Sequence, residues 1–484
     1  MKTIETDVVV VAGGPAGLCA AVTLGENNVK TVIFEKSNTT GGAANMGMGP
    51  LGINTHIQKK NFNDITVEKA LQEHMEYTHW RVDADLVETY FSKSADTIEW
   101  LEDMGVKFAG SFKYFKESAA TWHIVLTPDG QYGPRSASAM VKVLTDKVME
   151  QGTQIYYETP ATKLIMEDGK CVGVIAKDKN GEEIEARAKA VVVATGGFGN
   201  NAEMIKEHFG LNLWEDYQPF MIPGIVGDGL NMMWEVGAEK YGAAIEAIYQ
   251  IRDNMSYFLI DACTKQPNLL INQRGDRFMD EGKMGNTTYT GNAIWLQPGN
   301  YAYSIMDGNL IKYYRKNGPD ILDIVHPADC FDHFEDEANR AIAEGYDCFF
   351  AADTIEELAE KIGIPADKLT ETIEDYNDMC EHGRDTKFGK NPDFLKKITG
   401  KGRYYAAKHY LAAYGTVGGV RINSKCEVLT PAGEAIPGLY CAGTDGNTIY
   451  GDSYNFTLPG NTMGFALNTG RMAGESATDY VDGL

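Results

Sequence analysis

The sequence predicts an α/β fold in which the two ends of the chain build one Rossmann-like nucleotide-binding domain and the middle forms an inserted α+β cap. Three observations predict it. The chain opens on a strand, a glycine turn, a helix and a second strand. A further hydrophobic strand, Ala188 to Ala194, runs into Thr195-Gly196-Gly197, and comparable strands return only after residue 413. From about Ala244 to Ala413 the pattern changes to aromatic, irregular segments alternating with acidic helices. The expected division is therefore 1–244 and 414–484 for the discontinuous nucleotide domain and 245–413 for the cap.

Each element has a local reason. Asp7 to Val11 is apolar and β-branched, the composition of a buried strand. Gly13-Gly14-Pro15-Ala16-Gly17 is a turn, and Ala16 to Leu24, small and apolar, continues as a helix. Thr31 to Phe34 is a second buried strand that ends at Glu35-Lys36. Ser37 to Asn54 is glycine-rich loop, and Phe62 to Val106 reads as helix. Gln154 to Ile184 reads as strands turned by Lys179-Asn180-Gly181. Asn201 to Phe209 is a helix. In the cap, Thr354 to Ile362 and Ala366 to His382 are acidic helices. Beyond it Thr416 to Ile422 and Gly438 to Cys441 are strands, and Phe465 to Tyr480 closes the chain as a helix. No repeat or low-complexity segment interrupts this order.

Composition excludes several function classes. At 484 residues the chain has room for about three domain-sized units and an enclosed cofactor. A formal net charge of −24 argues against a nucleic-acid partner, because phosphate backbones are bound by clustered lysine and arginine. No apolar run reaches membrane-spanning length, and Met1 to Thr6 lacks the order of a secretory signal, so a cytoplasmic protein is expected. The eight cysteines form no CxxC pair and no metal-like cluster, so no metal is expected and the thiols read as small core residues.

The glycine turn carries the cofactor reading. A dinucleotide site needs a strand, a tight turn and a helix N-terminus whose free N–H groups and partial positive charge receive the pyrophosphate. The usual GxGxxG reads Ala12-Gly13-Gly14-Pro15-Ala16-Gly17 here, with Ala12 in the first glycine place. Gly14 and Gly17 keep the positions for backbone approach and for helix–strand packing, and Gly13 is expected to absorb the turn. Glu35, at the end of the next strand, suits the hydroxyls of an adenosine ribose and disfavours a ribose phosphate. Further glycine-rich segments point to FAD rather than NAD. They are Gly41-Gly42-Ala43-Ala44-Asn45-Met46-Gly47, Ala194-Thr195-Gly196-Gly197, Ala442-Gly443, and Pro459-Gly460-Asn461-Thr462-Met463-Gly464 leading into a helix.

These segments in this order, together with Gly227-Asp228-Gly229, Asn272-Gln273-Arg274-Gly275-Asp276-Arg277-Phe278-Met279-Asp280-Glu281, Thr416-Val417-Gly418-Gly419 and Ile436-Pro437-Gly438-Leu439-Tyr440-Cys441-Ala442-Gly443, resemble the FAD-binding fumarate reductase/succinate dehydrogenase flavoprotein superfamily. That superfamily also holds ketosteroid dehydrogenases, urocanate reductases and enoate reductases. The resemblance implies noncovalent FAD, because the histidine that carries covalent flavin in respiratory complexes is missing. It implies cofactor contacts at Gly14, Ala16, Glu35 and Lys36, and at Gly41, Gly42, Ala43, Met46 and Gly47. It implies others at Ala161, at Ala194, Thr195 and Gly196, at Asp228, and at Gly443, Thr444, Asn461, Thr462 and Met463.

The resemblance also tests the substrate. Family members that act on dicarboxylates hold them with arginine and histidine. Gly285, Gly415 and Thr457 stand at the positions expected for three of those groups. A buried dicarboxylate without paired cations costs several kcal/mol, so fumarate and succinate are disfavoured. Tyrosines remain: Tyr289, Tyr414 and Tyr454 are the candidate catalytic residues, with Tyr450 nearby. A phenol of pKa about 10 donates a proton at neutral pH. His123, His409 and Lys283 are secondary candidates that read more simply as structural or solvated groups.

The expected activity is reduction of a C=C bond conjugated to a carbonyl, in a neutral steroid-like or phenylpropenoid-like substrate. Hydride would come from flavin N5 and the proton from a tyrosine. The alternatives are the same chemistry in the oxidative direction, as in a 3-ketosteroid dehydrogenase, and a non-catalytic flavin-binding redox sensor. No second nucleotide fingerprint is present, so the expected electron donor is NADH bound transiently or a small redox protein.

Overall fold

The computed structural model describes residues 2–220 and 222–484. Val8–Val11 and Thr31–Phe34 lie side by side, in parallel, at the centre of a six-stranded sheet. On one side Thr31–Phe34 is followed by Gln154–Tyr156; on the other come Ala190–Val193, Ala435–Cys441 and Glu427–Leu429. The sheet thus joins strands from both ends of the chain, as the hydrophobic runs predicted. Its central strands are fully buried, which is why they read as unbroken Val and Ile runs rather than as alternation. A separate four-stranded sheet contains Ala161–Glu167, Lys170–Lys177 and Glu183–Arg187, with Lys179-Asn180-Gly181 in the turn between the last two.

Two helices seal the central sheet. Pro15–Glu26 packs along the closing helix Asn461–Asp482. Contact is close because the closing helix is small there: a Cβ on Gly470 would lie 2.3 Å from the Ala16 carbonyl oxygen. The region 62–106 is not one helix but two, Val67–Tyr77 and Ala84–Asp103. His79 and Trp80 take left-handed backbone between them, and the Asp83 side chain caps the second helix.

The cap is built on one long strand, Tyr404–Val420, which pairs with Lys240–Gln250, Tyr301–Asp307 and Phe349–Ala352. Its expected start at Thr416 is therefore corrected to Tyr404. The seventeen-residue strand begins deep in the cap and ends against Gly446–Asn447, beside the nucleotide domain. One core cluster fills the nucleotide domain and reaches into the cap, and a second, built from residues between Ile251 and Tyr410, lies within the cap alone. All eight cysteines are free thiols, and seven are buried. Among the described residues no group of His, Cys, Asp and Glu is arranged to hold a metal, and no helix is long and apolar enough to cross a membrane.

Candidate active site

The glycine turn is tighter than expected, and its strain sits elsewhere. Ala12 itself takes the left-handed conformation, with φ of 80°, while Gly13 does not. That costs a non-glycine residue roughly 1–2 kcal/mol. The conformation directs the Ala12 carbonyl at the helix, where a Cβ on Gly17 would approach its oxygen to 2.0 Å. Gly17 is thus required by close packing. The Gly13 N–H donates to Glu35 Oε2 at 2.7 Å, and the Ser37 N–H donates to Glu35 Oε1 at 2.6 Å, which fixes the carboxylate at the strand end.

Two helix N-termini open into one cavity of about 620 Å³. Pro15–Glu26 begins at Gly14 and Asn461–Asp482 begins at Gly460; neither has a side-chain cap or an acidic residue in its first turn. Thr66, Asp83, Asn201, Asp307 and Thr354 cap their helices, while others such as Ser138–Glu150 and Ala366–Glu381 also lack a side-chain cap. Leaving two helix ends uncapped in a shared cavity suits a ligand with negative charge at one point and an anion-stabilised ring at another. The residues therefore fit FAD.

The flank of this cradle is organised by Asp445. Its buried carboxylate accepts hydrogen bonds from the Thr195 N–H, from Thr195 Oγ1 at 2.8 Å and from the Gly197 N–H at 2.8 Å, which holds the Thr195-Gly196-Gly197 turn open beside the cavity. Gly14, Ala16, Glu35, Lys36, Gly42, Ala43, Met46 and Gly47 all line the cavity. So do Ala161, Ala194, Thr195, Gly196, Asp228, Gly443, Thr444, Thr462 and Met463. Lys36 and Asp228 also pair with each other at 2.7 Å. Gly41 and Asn461 do not line it: Gly41 forms the turn behind the loop, and the buried Asn461 accepts from the Tyr90 hydroxyl at 2.9 Å.

Beyond the cradle the cavity continues between aromatic walls, Tyr114, Phe220, Tyr414, Tyr454 and Phe456. Tyr414 meets Phe220 edge-on at 5.0 Å, and Tyr454 meets Phe456 edge-on at 5.2 Å. Thr462 Oγ1 lies 3.1 Å from the Tyr454 hydroxyl and also hydrogen bonds Glu246 Oε1. Burial lifts the Glu246 carboxyl to about 7 against the opposing bond from Thr462, so it holds its proton near neutral pH. Burial raises the Tyr414 and Tyr454 hydroxyls well above their usual range, with carboxylate charge adding to the effect, so both remain protonated donors.

At the cap end stand Asp261, Lys265 and His326. Asp261 Oδ2 is 2.7 Å from Lys265 Nζ and 3.5 Å from His326 Nε2, and His326 Nδ1 is 2.8 Å from Asp323 Oδ2. Burial would lower the His326 pKa, but the Asp323 charge and the bonds to Asp261 and Asp323 outweigh it and raise the imidazole to about 9.

Tyr289 stands apart from this arrangement. It is 42% exposed, stacks on Tyr77 at 6.0 Å and lines a separate hollow with Thr457. The structure thus brings Tyr414 and Tyr454 to the cavity and leaves Tyr289 outside it. Of the three positions expected to stand in place of family cations, Gly415 lines the cavity while Gly285 and Thr457 do not. The buried His123 and His409 bond Thr55 and Thr264, burial lowers each to about 4, and Lys283 is exposed. Tyr114, Glu246, Asp261, Lys265 and His326 were not anticipated. The one local signal was Asp261 and Lys265, four residues apart at the end of helix Phe258–Thr264.

Comparison with known proteins agrees with this cradle. The FAD binding domain family model matches residues 7–462. A vinyl phenol reductase of Lactiplantibacillus plantarum is 31% identical over 490 aligned positions, covering 98% of this chain and 97% of that protein. A flavocytochrome c3 fumarate reductase in its open conformation is 26% identical, with a TM-score of 0.74 over 99% of this chain and 79% of that one. A 3-ketosteroid Δ1-dehydrogenase from Sterolibacterium denitrificans shares the fold, with a TM-score of 0.77 at 19% identity over 98% of this chain and 99% of that one.

Proposed function

The chain belongs to the FAD-binding fumarate reductase/succinate dehydrogenase flavoprotein superfamily, and on that premise we propose that it reduces a C=C bond conjugated to a carbonyl or an aryl ring in a largely apolar substrate, with Tyr454 as proton donor. One observation carries the reading: an aromatic-walled cavity, continuous with the FAD cradle, holds a protonated tyrosine linked through Thr462 to a carboxyl poised near neutrality. The name of the Lactiplantibacillus relative, a vinyl phenol reductase, supports reduction of a C=C bond conjugated to an aryl ring.

Reduced FAD, when bound, supplies the hydride. The chain supplies the rest. Tyr114, Phe220, Tyr414 and Phe456 hold the flat substrate and exclude water, which strengthens every hydrogen bond inside. Tyr454 gives its O–H proton to the carbon next to the one that is reduced. Thr462 then passes a proton to the Tyr454 oxygen and Glu246 refills Thr462; Glu246 is left ionised and takes a proton back from water before the next cycle, as a carboxyl near 7 can. Tyr414 offers a second O–H donor at the same wall for an oxygen that gains charge. A dicarboxylate is disfavoured because each cation at the substrate end already has its own carboxylate. FAD bound noncovalently is part of the proposal, and release of the flavin on denaturation is its check. NADH or a small redox protein is the proposed electron source.

The test is anaerobic. Reduced holoenzyme is mixed with conjugated enones, vinyl arenes and fumarate while flavin absorbance is followed. Enones or vinyl arenes should reoxidise the flavin and fumarate should not. Tyr454→Phe should keep FAD and slow reoxidation by on the order of 10²- to 10⁴-fold, whereas Tyr289→Phe should not. If no conjugated alkene reoxidises the flavin, the reading fails.

A further inference from the structure

Resting on the conjugated-alkene reading above, we propose that Gln250 determines specificity by hydrogen bonding a neutral oxygen, carbonyl or hydroxyl, at the end of the substrate remote from the reduced bond. Strand alternation puts it there. Along Lys240–Gln250, the side chains of Glu246, Ile248 and Gln250 fall on the face that lines the cavity, and Ala247 and Tyr249 between them do not line it. The opposite face is filled by protein: Ala247 and Tyr249 are buried, and the Tyr249 hydroxyl donates to the Met284 carbonyl at 3.1 Å. The cavity face of the strand is therefore polar, apolar, polar. Glu246 stands at the reaction end, bonded to Thr462. Gln250 follows four residues on, about 13 Å along an extended strand.

The bonding left open at Gln250 is what calls for a ligand. The residue is 7% exposed, lines the cavity, and makes no side-chain hydrogen bond to any described residue. Buried glutamines with a structural role differ. Gln58 accepts from the Thr55 N–H at 2.9 Å and donates to the Gly52 and Ala120 carbonyls at 2.8 and 2.9 Å. Gln266, within the cap, donates to the Ile321 carbonyl at 3.0 Å and accepts from the Ile321 N–H at 2.9 Å. Covering the Gln250 amide with hydrocarbon would cost about 1–3 kcal/mol, whereas leucine or methionine would close the same wall without that cost. A ligand oxygen that answers the amide accounts for its presence.

The charged groups beyond it are already answered. Asp261 meets Lys265 at 2.7 Å and His326 at 3.5 Å, and His326 meets Asp323 at 2.8 Å. A substrate carboxylate at this end would meet cations that are already paired, so the unengaged neutral amide selects a neutral oxygen.

Binding separates this inference from the reading on which it rests, because it needs no turnover. Oxidised holoenzyme is titrated with 4,4′-diacetylbiphenyl and with 4-acetyl-4′-isopropylbiphenyl, which keeps the shape and lacks the second oxygen. Neither has a reducible alkene, and the bound flavin spectrum reports occupancy. One carbonyl is held at the tyrosine end in both; the second gains only if a donor stands at the far end. The diketone should bind about tenfold more tightly, as a hydrogen bond from a buried amide allows. Gln250→Met, close in length but without the amide, should erase that gain with FAD content unchanged, and Gln250→Leu should do the same. Tyr454→Phe should keep it. Equal binding of the two ketones to the unaltered protein overturns the inference, whether or not the variants fold. So does a gain that survives in both Gln250 variants, or tighter binding of 4′-acetylbiphenyl-4-carboxylate than of the diketone. An enzyme that reduces enones without favouring the diketone sinks this inference alone; one that favours the diketone through Gln250 but reduces no conjugated alkene sinks the proposed activity alone.

Discussion

Replacing Glu246 by glutamine is expected to leave stability nearly unchanged in acid and to raise it above neutral pH. Glutamine has the shape of a protonated glutamic acid, and its amide oxygen can keep the bond from Thr462. The native carboxyl is fully buried, and burial raises it from its usual 4.5 to about 7. A group whose folded pKa lies above its unfolded value costs nothing below the unfolded value. The cost builds as pH rises and levels off above the folded value. Here the window runs from about pH 4.5 to about pH 7. At about 1.4 kcal/mol for each pH step, the full cost is about 3 kcal/mol. Urea unfolding of Glu246→Gln and unaltered holoenzyme at pH 5 and pH 8.5 measures it. The gap in favour of the variant should widen by about 2–3 kcal/mol between the two conditions. The same variant should keep one flavin reoxidation per enzyme, which draws on the Tyr454 proton, and lose rapid repeated turnover, because Thr462 no longer has a proton source. A stability gap that is equal at both pH values would refute the burial argument for Glu246.

Three further outcomes follow from the geometry. Gly17→Ala should purify with little or no FAD, read from the ratio of flavin to protein absorbance, because its Cβ would sit 2.0 Å from the Ala12 carbonyl oxygen and push the helix off the strand. Asp445→Asn should weaken FAD binding about tenfold or more in a fluorescence titration, since its amide nitrogen opposes the N–H donors of Thr195 and Gly197. Arg277→Met should destabilise the cap by about 3–5 kcal/mol in thermal or urea unfolding, because Asp385 stays buried without its cation and Glu281 keeps only Lys390, at 3.5 Å.

Much of the fold was legible because it is local. Val8–Val11 and Thr31–Phe34 are buried on both faces, and continuous β-branched runs report that directly. The acidic cap helices Ile355–Ile362 and Ala366–Glu381 follow from their own periodicity. The cradle was legible too, because backbone approach to a dinucleotide demands small residues at set spacings, and those spacings are written in the chain. The left-handed backbone at Ala12 was not, since it is imposed by the packing of Gly17 against the Ala12 carbonyl and not by the preference of alanine. Nor was the true start of the strand Tyr404–Val420, which is set by partners such as Tyr301–Asp307 and Phe349–Ala352, distant in sequence.

The substrate end depended most on tertiary structure. Tyr289 sits one helical step from the buried face of Thr287–Trp295, so helix periodicity turns it outward despite its place near the family motif. Glu246, Asp261 and His326 are unremarkable where they stand in the chain, and acquire their properties only when folding brings each to the same cavity as Tyr414 and Tyr454. The chain alone gave the strand–turn–helix order and the glycine spacings that point to FAD, and by resemblance the expectation that Gly285, Gly415 and Thr457 stand where dicarboxylate-binding groups would. Which tyrosines face the cavity, and where its charges pair, came from folding, because both depend on packing and on neighbours that lie far apart in sequence.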